Sequence, residues 1–178
     1  MNVLAFGASN SKTSINKQLA TYAAHLMDNA TVTTLDLNDF ELPLYSTDVE
    51  AKIGHPQAAQ DFLAQIQAAD LVVIAFAEHN GSYTAAYKNL FDWMSRIQQK
   101  VFDGKRVVLL ATSPGPGGAQ TVLAAATGSM PFFGAEVVGS LSVPSFYDNF
   151  DVENGILSNA TIAADVQGLM SLDSIIKI

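Results

Sequence analysis

The sequence predicts an α/β protein, a three-layer sandwich in which a five-stranded parallel sheet carries helices on both faces. Three observations support this. Strand-like and helix-like apolar patterns alternate from end to end. The candidate strands at Leu71-Val72-Val73-Ile74 and Arg106–Thr112 are almost continuously apolar, as strands covered on both faces are. With 178 residues, 49% of them hydrophobic and 15% charged, the chain can bury a full core as one domain, residues 1–178.

Taken in order, Asn2–Gly7 is a first strand, followed by a helix over about Ser14–Met27 whose Ile15, Leu19, Ala23 and Leu26 share a face. Thr31–Leu37 is a second strand, closed by the turn-prone Asn38-Asp39 and Pro43. A loose stretch to His55 precedes a helix over Pro56–Ala69, with proline tolerated in its first turn. The third strand, Asp70–Ala77, leads to a helix over Thr84–Gln99 with a stripe of Ala86, Leu90, Trp93 and Ile97. Arg106–Thr112 is the fourth strand, Ala119–Phe133 a helix, Glu136–Val143 the fifth strand and Asn159–Ile176 the last helix. Five such strands favour the flavodoxin-like order 2-1-3-4-5, in which ligands bind beyond the carboxyl ends of the strands.

Composition removes several functions. With no cysteine, the chain has no disulfide, thiolate nucleophile or thiolate metal site. His25, His55 and His79 lack metal-ligand spacing, so no metal site is expected, and redox work would need an organic cofactor. A net charge of −8 with unclustered Lys and Arg argues against nucleic acid and anionic membranes. No apolar run approaches the roughly 20 residues of a bilayer span. Met1–Phe6 lacks the basic start of a signal peptide, and the expected location is cytoplasmic.

Chemistry falls on three loops. The first, Gly7 to Asn16, places Ser9, Ser11, Thr13, Ser14 and Asn16 with Lys12 at a helix start. Free N–H groups and hydroxyls there suit a phosphate, although one or two hydroxyls would serve as ordinary caps. The loop is neither G-x-x-x-x-G-K-[ST] nor G-x-G-x-x-G, which disfavours ATP and a dinucleotide of the classical kind. Asp36 reads as a solvated or capping carboxylate. The second loop contains Glu78, His79, Asn80, Gly81 and Ser82; Gly81 allows a positive φ or a close backbone approach, and Asn80 offers both donor and acceptor. An Asn-Gly turn explains the same pair without a ligand. The third loop, Thr112 to Ala119, includes Ser113, Gly115, Gly117 and Gly118 around two prolines, a side-chain-poor wall that suits a planar ring.

These residues resemble the NADPH-dependent FMN reductase family, which includes chromate, quinone and azo reductases. Gly7-Ala8-Ser9 through Ser14-Ile15-Asn16 is similar to its phosphate loop. Glu78-His79-Asn80-Gly81-Ser82 with Lys88-Asn89-Leu90-Phe91-Asp92-Trp93 is similar to its P-E-Y-N-x-S and K-N-x-x-D-W segment, and Ser113-Pro114-Gly115 with Gly117-Gly118 to its third loop. The resemblance implies FMN held by its phosphate at Ser9, Ser11, Ser14, Ile15 and Asn16. It sets the ring system against Glu78, His79, Asn80 and Gly81, beside Ser113, Gly115, Gly117 and Gly118. It also implies a homodimer or homotetramer in which hydride passes from NAD(P)H to FMN and then to a small-molecule acceptor such as free flavin, a quinone, an azo compound or a metal oxyanion. No catalytic acid or base is required; Lys88 with Asp92 reads as an i,i+4 surface pair. Ser11 stands where many members carry arginine, Ala77 and His79 where they carry proline and tyrosine, and Thr84-Ala85 where they carry Pro-Gly. The alternative is a flavodoxin-like electron carrier or flavin-binding module without NAD(P)H activity.

Overall fold

The computed structural model describes residues 1–171 and 175. Along the chain run β1 (Asn2–Ala8), α1 (Ile15–His25), β2 (Thr31–Leu35), α2 (Thr47–Ile53) and α3 (Gln57–Ala68). There follow β3 (Leu71–Phe76), β4 (Glu78–His79), β5 (Ser82–Tyr83), α4 (Ala85–Ile97), β6 (Arg106–Thr112) and α5 (Gln120–Ser129). The last part holds β7 (Glu136–Val143), α6 (Phe146–Asn149), β8 (Phe150–Asp151), β9 (Ile156–Leu157) and α7 (Ala160–Leu169).

Five strands form one parallel sheet in the order β2-β1-β3-β6-β7. Counting only those strands, this is 2-1-3-4-5, the flavodoxin-like order. Every residue of β3 is buried, which is why its sequence is apolar without alternation. The two-residue period of a strand still sorts its side chains. Phe6, Ile74 and Leu109 stand in register across three strands and face α3, α4 and α5. Ala5, Val73 and Val108 stand one residue along and face α1 and α7. The edge strand β2 is only partly buried and keeps Thr at three of its five positions.

Helix α1 sits unusually close to the sheet. Its buried face is largely alanine (Ala20, Ala23, Ala24), and a Cβ on Gly7 would lie 2.4 Å from the Lys17 nitrogen. Gly7 therefore lets the start of α1 rest against the carboxyl end of β1, which is where the first loop must turn. Gly7→Ala would push the two apart.

Boundaries differ from the sequence expectations for identifiable reasons. Strand β2 stops at Leu35 because Asp36 accepts from the Asn38 N–H and turns the chain into a short 3₁₀ segment, Leu37–Asp39. Helix α5 ends at Ser129, where Pro131 leads a 3₁₀ turn closed by Gly134 at φ 83°. The loose stretch before His55 contains α2, capped by Ser46; none of its residues is buried, so no apolar period marks it. On α4 the buried face is Tyr87, Leu90, Trp93 and Met94, with Ala86 and Ile97 only at its margin. Of the expected last helix, Asn159–Ile176, residues 160–169 are helical; residues 172–174 and 176 lie outside the described residues.

Candidate functional site

At the carboxyl end of the sheet the chain leaves β1 toward β2 on one side and β3 toward β6 on the other. The loops after β1 and β3 thus part and open a crevice. A cleft of about 240 Å³ lies there, lined from the first loop by Ser9, Ser11, Thr13, Ser14, Ile15 and Asn16. Glu78 and His79 line it from the second loop, and Ser113 and Pro114 from the third. Three segments remote in sequence meet in it, as the strand order requires.

In the first loop the serines divide their tasks. Ser9 Oγ accepts from the Ser11 N–H at 3.1 Å, and Ser14 Oγ caps α1 by accepting from the Lys17 N–H at 3.1 Å. Asn16 is 2% exposed and fully engaged. Its Nδ2 donates to the Thr112 carbonyl and its Oδ1 accepts from the Thr112 N–H, both at 3.0 Å. It therefore pins α1 to the end of β6, and only its backbone faces the cleft as a donor. The Ser11 and Thr13 hydroxyls and the N–H groups of Thr13, Ile15 and Asn16 have no partner among the described residues. That is an array of open donors at the positive end of an eleven-residue helix.

The second loop is a two-residue hairpin. Asn80 and Gly81 have φ 53° and 74°, both left-handed, as a type I′ turn between β4 and β5 demands. A Cβ on Gly81 would meet nothing within 4 Å, so the turn, not a close contact, explains the glycine. Asn80 and Gly81 stand at the exposed tip, outside the cleft that Glu78 and His79 line. The Glu78 carboxylate accepts from the Val122 N–H at 2.9 Å. It thereby supplies the N-terminal cap that Ala119, at φ 58° with no capping side chain, cannot give α5. Glu78 ties the second loop to the third.

The third loop is held by its backbone. The Gly115 carbonyl accepts from the Ser145 N–H, and the Ser113 carbonyl from the Phe146 N–H. Gly118, at φ 58°, lies so close to Ser142 and Pro144 that any Cβ would clash. Gly115 and Gly117 have open space before them. A further hollow of about 390 Å³ joins Glu78, Ser113 and Gly117 to Gln120 and Thr121. Tyr147, 64% exposed, also lines the main cleft. Sequence reasoning passed over it; its position just after the fifth sheet strand, among the other strand-end loops, was the available signal.

The segment Lys88–Trp93 is not at the cleft. Asn89 Nδ2 and Trp93 Nε1 both donate to the Pro43 carbonyl, at 3.0 and 2.8 Å, and Asn89 Oδ1 accepts from the Tyr45 N–H. They fasten the strap after β2 onto α4, while Lys88 pairs with Asp92 at 2.6 Å on the surface. Glu50 joins the fastening, accepting from Arg96 and Tyr45. Burial pushes its carboxyl up, but those hydrogen bonds and that of His55 hold it below its ordinary value. Thr84 completes the frame by capping α4 and donating to the Ala8 carbonyl at 2.9 Å.

Strand order and a crevice shared by three loops define a flavodoxin-like frame, with open donors at the start of α1 facing its cleft. The family is resolved by comparison. Residues 1–148 match the model of the NADPH-dependent FMN reductases, and the chain belongs to that family of oxidoreductases. It is 29% identical over 151 residues to an uncharacterized protein of Mycoplasma pneumoniae, covering 81% of this chain and 87% of that one. It is 40% identical over 83 residues to an NAD(P)H-dependent FMN reductase of Pseudomonas aeruginosa, covering 46% of this chain but only 44% of that one. Its fold matches the flavoenzyme NAD(P)H:(acceptor) oxidoreductase of Paracoccus denitrificans with a TM-score of 0.76 at 24% identity, over 99% of this chain and 95% of the other. Among the described residues no helix is long and apolar enough to cross a membrane.

Proposed function

We propose that the chain is an FMN-dependent NAD(P)H oxidoreductase whose cofactor phosphate is held at the start of α1. The observation that carries this is the set of donors left open there: the hydroxyls of Ser11 and Thr13 with the N–H groups of Thr13, Ile15 and Asn16. In a chain of net charge −8, such local dipoles can recruit an anion against the overall field. Ser9 and Ser14 shape the loop, and Asn16 fixes it to Thr112. A neutral, side-chain-poor wall at Ser113, Gly115 and Gly117 fits a flat ring, with His79 and Tyr147 at the rim. Glu78 holds the two ring-side walls at a set distance through Val122. Gly118 serves packing, and Asn80 and Gly81 shape the hairpin that presents His79.

FMN, when bound, supplies the two-electron chemistry that the protein's own side chains lack. The chain contributes binding, orientation and dipoles; none of its side chains is assigned as an acid or base. The acceptor is a small molecule of the class free flavin, quinone, azo compound or metal oxyanion. Cytoplasmic location and assembly as a homodimer or homotetramer belong to the same reading; Leu44 and Phe132, 80% and 82% exposed, offer apolar surface for such contacts. The test is to mix protein, FMN and NADPH and follow the nicotinamide absorbance. Catalytic loss of NADPH is expected. Stoichiometric FMN binding with no NADPH oxidation would identify an electron carrier instead.

A further inference from the structure

Behind the first loop lies a second, larger cleft of about 720 Å³, which the proposed FMN site leaves free. One wall is the outer face of α1 with Thr21, Tyr22 and Leu26; the other is the β8–β9 hairpin with Phe150, Val152 and Ile156. Its volume lies within the roughly 300–1,000 Å³ of small-molecule sites. Thr13 and Ser14 line both this cleft and the cofactor cleft, so the two are neighbours across the start of α1.

Its charge runs against that of the protein. The chain carries 17 acidic and 9 basic residues, yet no Asp or Glu lines this cleft, and its basic side chains are Lys12, Lys17 and His25. Lys17 is answered by Asp36, whereas Lys12 has no ion pair among the described residues and directly precedes Thr13, which lines both clefts. The apolar surface is equally specific. Tyr22 is held edge-on to Phe150 with ring centroids 6.0 Å apart, and Val152 and Ile156, half exposed, rim the opening uncovered. Both arginines of the chain are engaged elsewhere, Arg96 with Glu50 and Arg106 with Glu136.

We propose that this cleft receives the adenosine half of the nicotinamide nucleotide, with Tyr22, Val152 and Ile156 covering the adenine and Lys12 answering a ribose phosphate. The assignment rests on the reductase reading. A flat apolar wall beside an unpaired cation and hydroxyls is the chemistry of an adenosine phosphate. An aliphatic chain would not need the cation, and a nucleic-acid strand would meet the acidic remainder of the surface. Thr13 and Ser14, shared by the two clefts, mark the path over which one extended dinucleotide would reach the cofactor.

The FMN-loaded protein is titrated with 2′,5′-ADP and with 5′-AMP by calorimetry, and KM and kcat are measured with NADPH and NADH. Ile156→Glu places a carboxylate on the rim without touching the three loops. It should weaken 2′,5′-ADP at least about tenfold and raise the KM for NADPH alike, leaving kcat and FMN affinity unchanged. Val152→Glu repeats the test if Ile156→Glu does not fold. Lys12→Ala should cut the preference for 2′,5′-ADP over 5′-AMP, and for NADPH over NADH, by about tenfold. Absence of 2′,5′-ADP binding, or binding indifferent to these substitutions, overturns the proposal. Because NADPH oxidation with unaltered KM in the variants would leave the reductase reading intact, the two failures are distinguishable.

Discussion

Two hydrogen-bonding segments of this chain use their polar side chains for opposite ends. In Asn89 and Trp93 every strong donor is turned inward, onto the Pro43 carbonyl and the strap beside it. In Ser11 and Thr13, at the start of α1, the hydroxyls are left open, facing a cleft. The Lys88–Trp93 segment is the most distinctive of the family-like motifs, yet it builds a frame. The hydroxyl-rich loop is the less distinctive, yet it presents the donors. A motif thus records a demanding hydrogen-bond geometry, and only the structure tells which groups the chain itself satisfies and which it leaves open. Asn16 is the sharpest case, a framing residue inside the hydroxyl-rich loop.

The comparison breaks most visibly at Asn16. Asn16→Ala removes the side-chain partners of the buried N–H and carbonyl of Thr112, a loss of about 2–6 kcal/mol if each costs roughly 1–3. Urea denaturation should show that loss, and a stability within about 0.5 kcal/mol of wild type would remove Asn16 from the frame. Ser11→Ala and Thr13→Ala should do the reverse. Each removes a hydrogen bond to a charged group, about 1.5–3 kcal/mol, so FMN affinity should fall about ten- to hundredfold with the unfolding midpoint unmoved. Asn89→Ala should cost about 1–2 kcal/mol and speed hydrogen exchange at the Tyr45 N–H, with FMN affinity intact. Weakened FMN binding there would place the strap in the site.

A smaller effect is expected in the core. The Tyr87 hydroxyl is the one buried side-chain polar atom without a partner among the described residues, and burial raises its pKa well above the ordinary tyrosine value. Tyr87→Phe should raise stability by about 1 kcal/mol, read as a higher Tm; a drop would reveal a partner for that hydroxyl. The smallest effect concerns Asp36. Partial burial pushes its carboxyl up, but hydrogen bonds from Lys17 and Asn38 outweigh that and hold it below its ordinary value. Its contribution is therefore present above about pH 4 and lost as pH falls through the depressed value. Asp36→Asn should flatten acid denaturation only below that range; an equal change at neutral and acid pH would contradict the pairing.

The fold was legible because burial on both faces leaves long apolar runs at Leu71–Ile74 and Val107–Ala111, and five of these strands allow few orders. Elements that are unburied or too short to repeat left no such trace: α2, the β4–β5 hairpin and the β8–β9 hairpin, whose Phe150 and Leu157 are buried, are written in caps and turns, not in periodicity. Part of the site was legible as well. Ser9, Ser11, Ser14, Ile15, Asn16, Glu78, His79 and Ser113 do line one cleft, because each follows a strand at the same edge of the sheet. What the sequence could not separate was cap from ligand. Asn80-Gly81 reads equally as a turn or a flavin edge, and Glu78 gives no sign that its partner is the Val122 N–H, forty-four residues on. Tyr147 was hidden for the related reason that nothing near it in sequence shares its role.

The central claim, a single-phosphate site at the start of α1, is tested most directly by titrating cofactor-free protein with FMN and with riboflavin, which differ only by that phosphate. A charged hydrogen bond of about 1.5–3 kcal/mol at even one of the open donors predicts FMN binding at least about tenfold tighter. That advantage should shrink in Ser11→Ala and Thr13→Ala. Equal affinities for FMN and riboflavin in the wild-type protein would contradict the account.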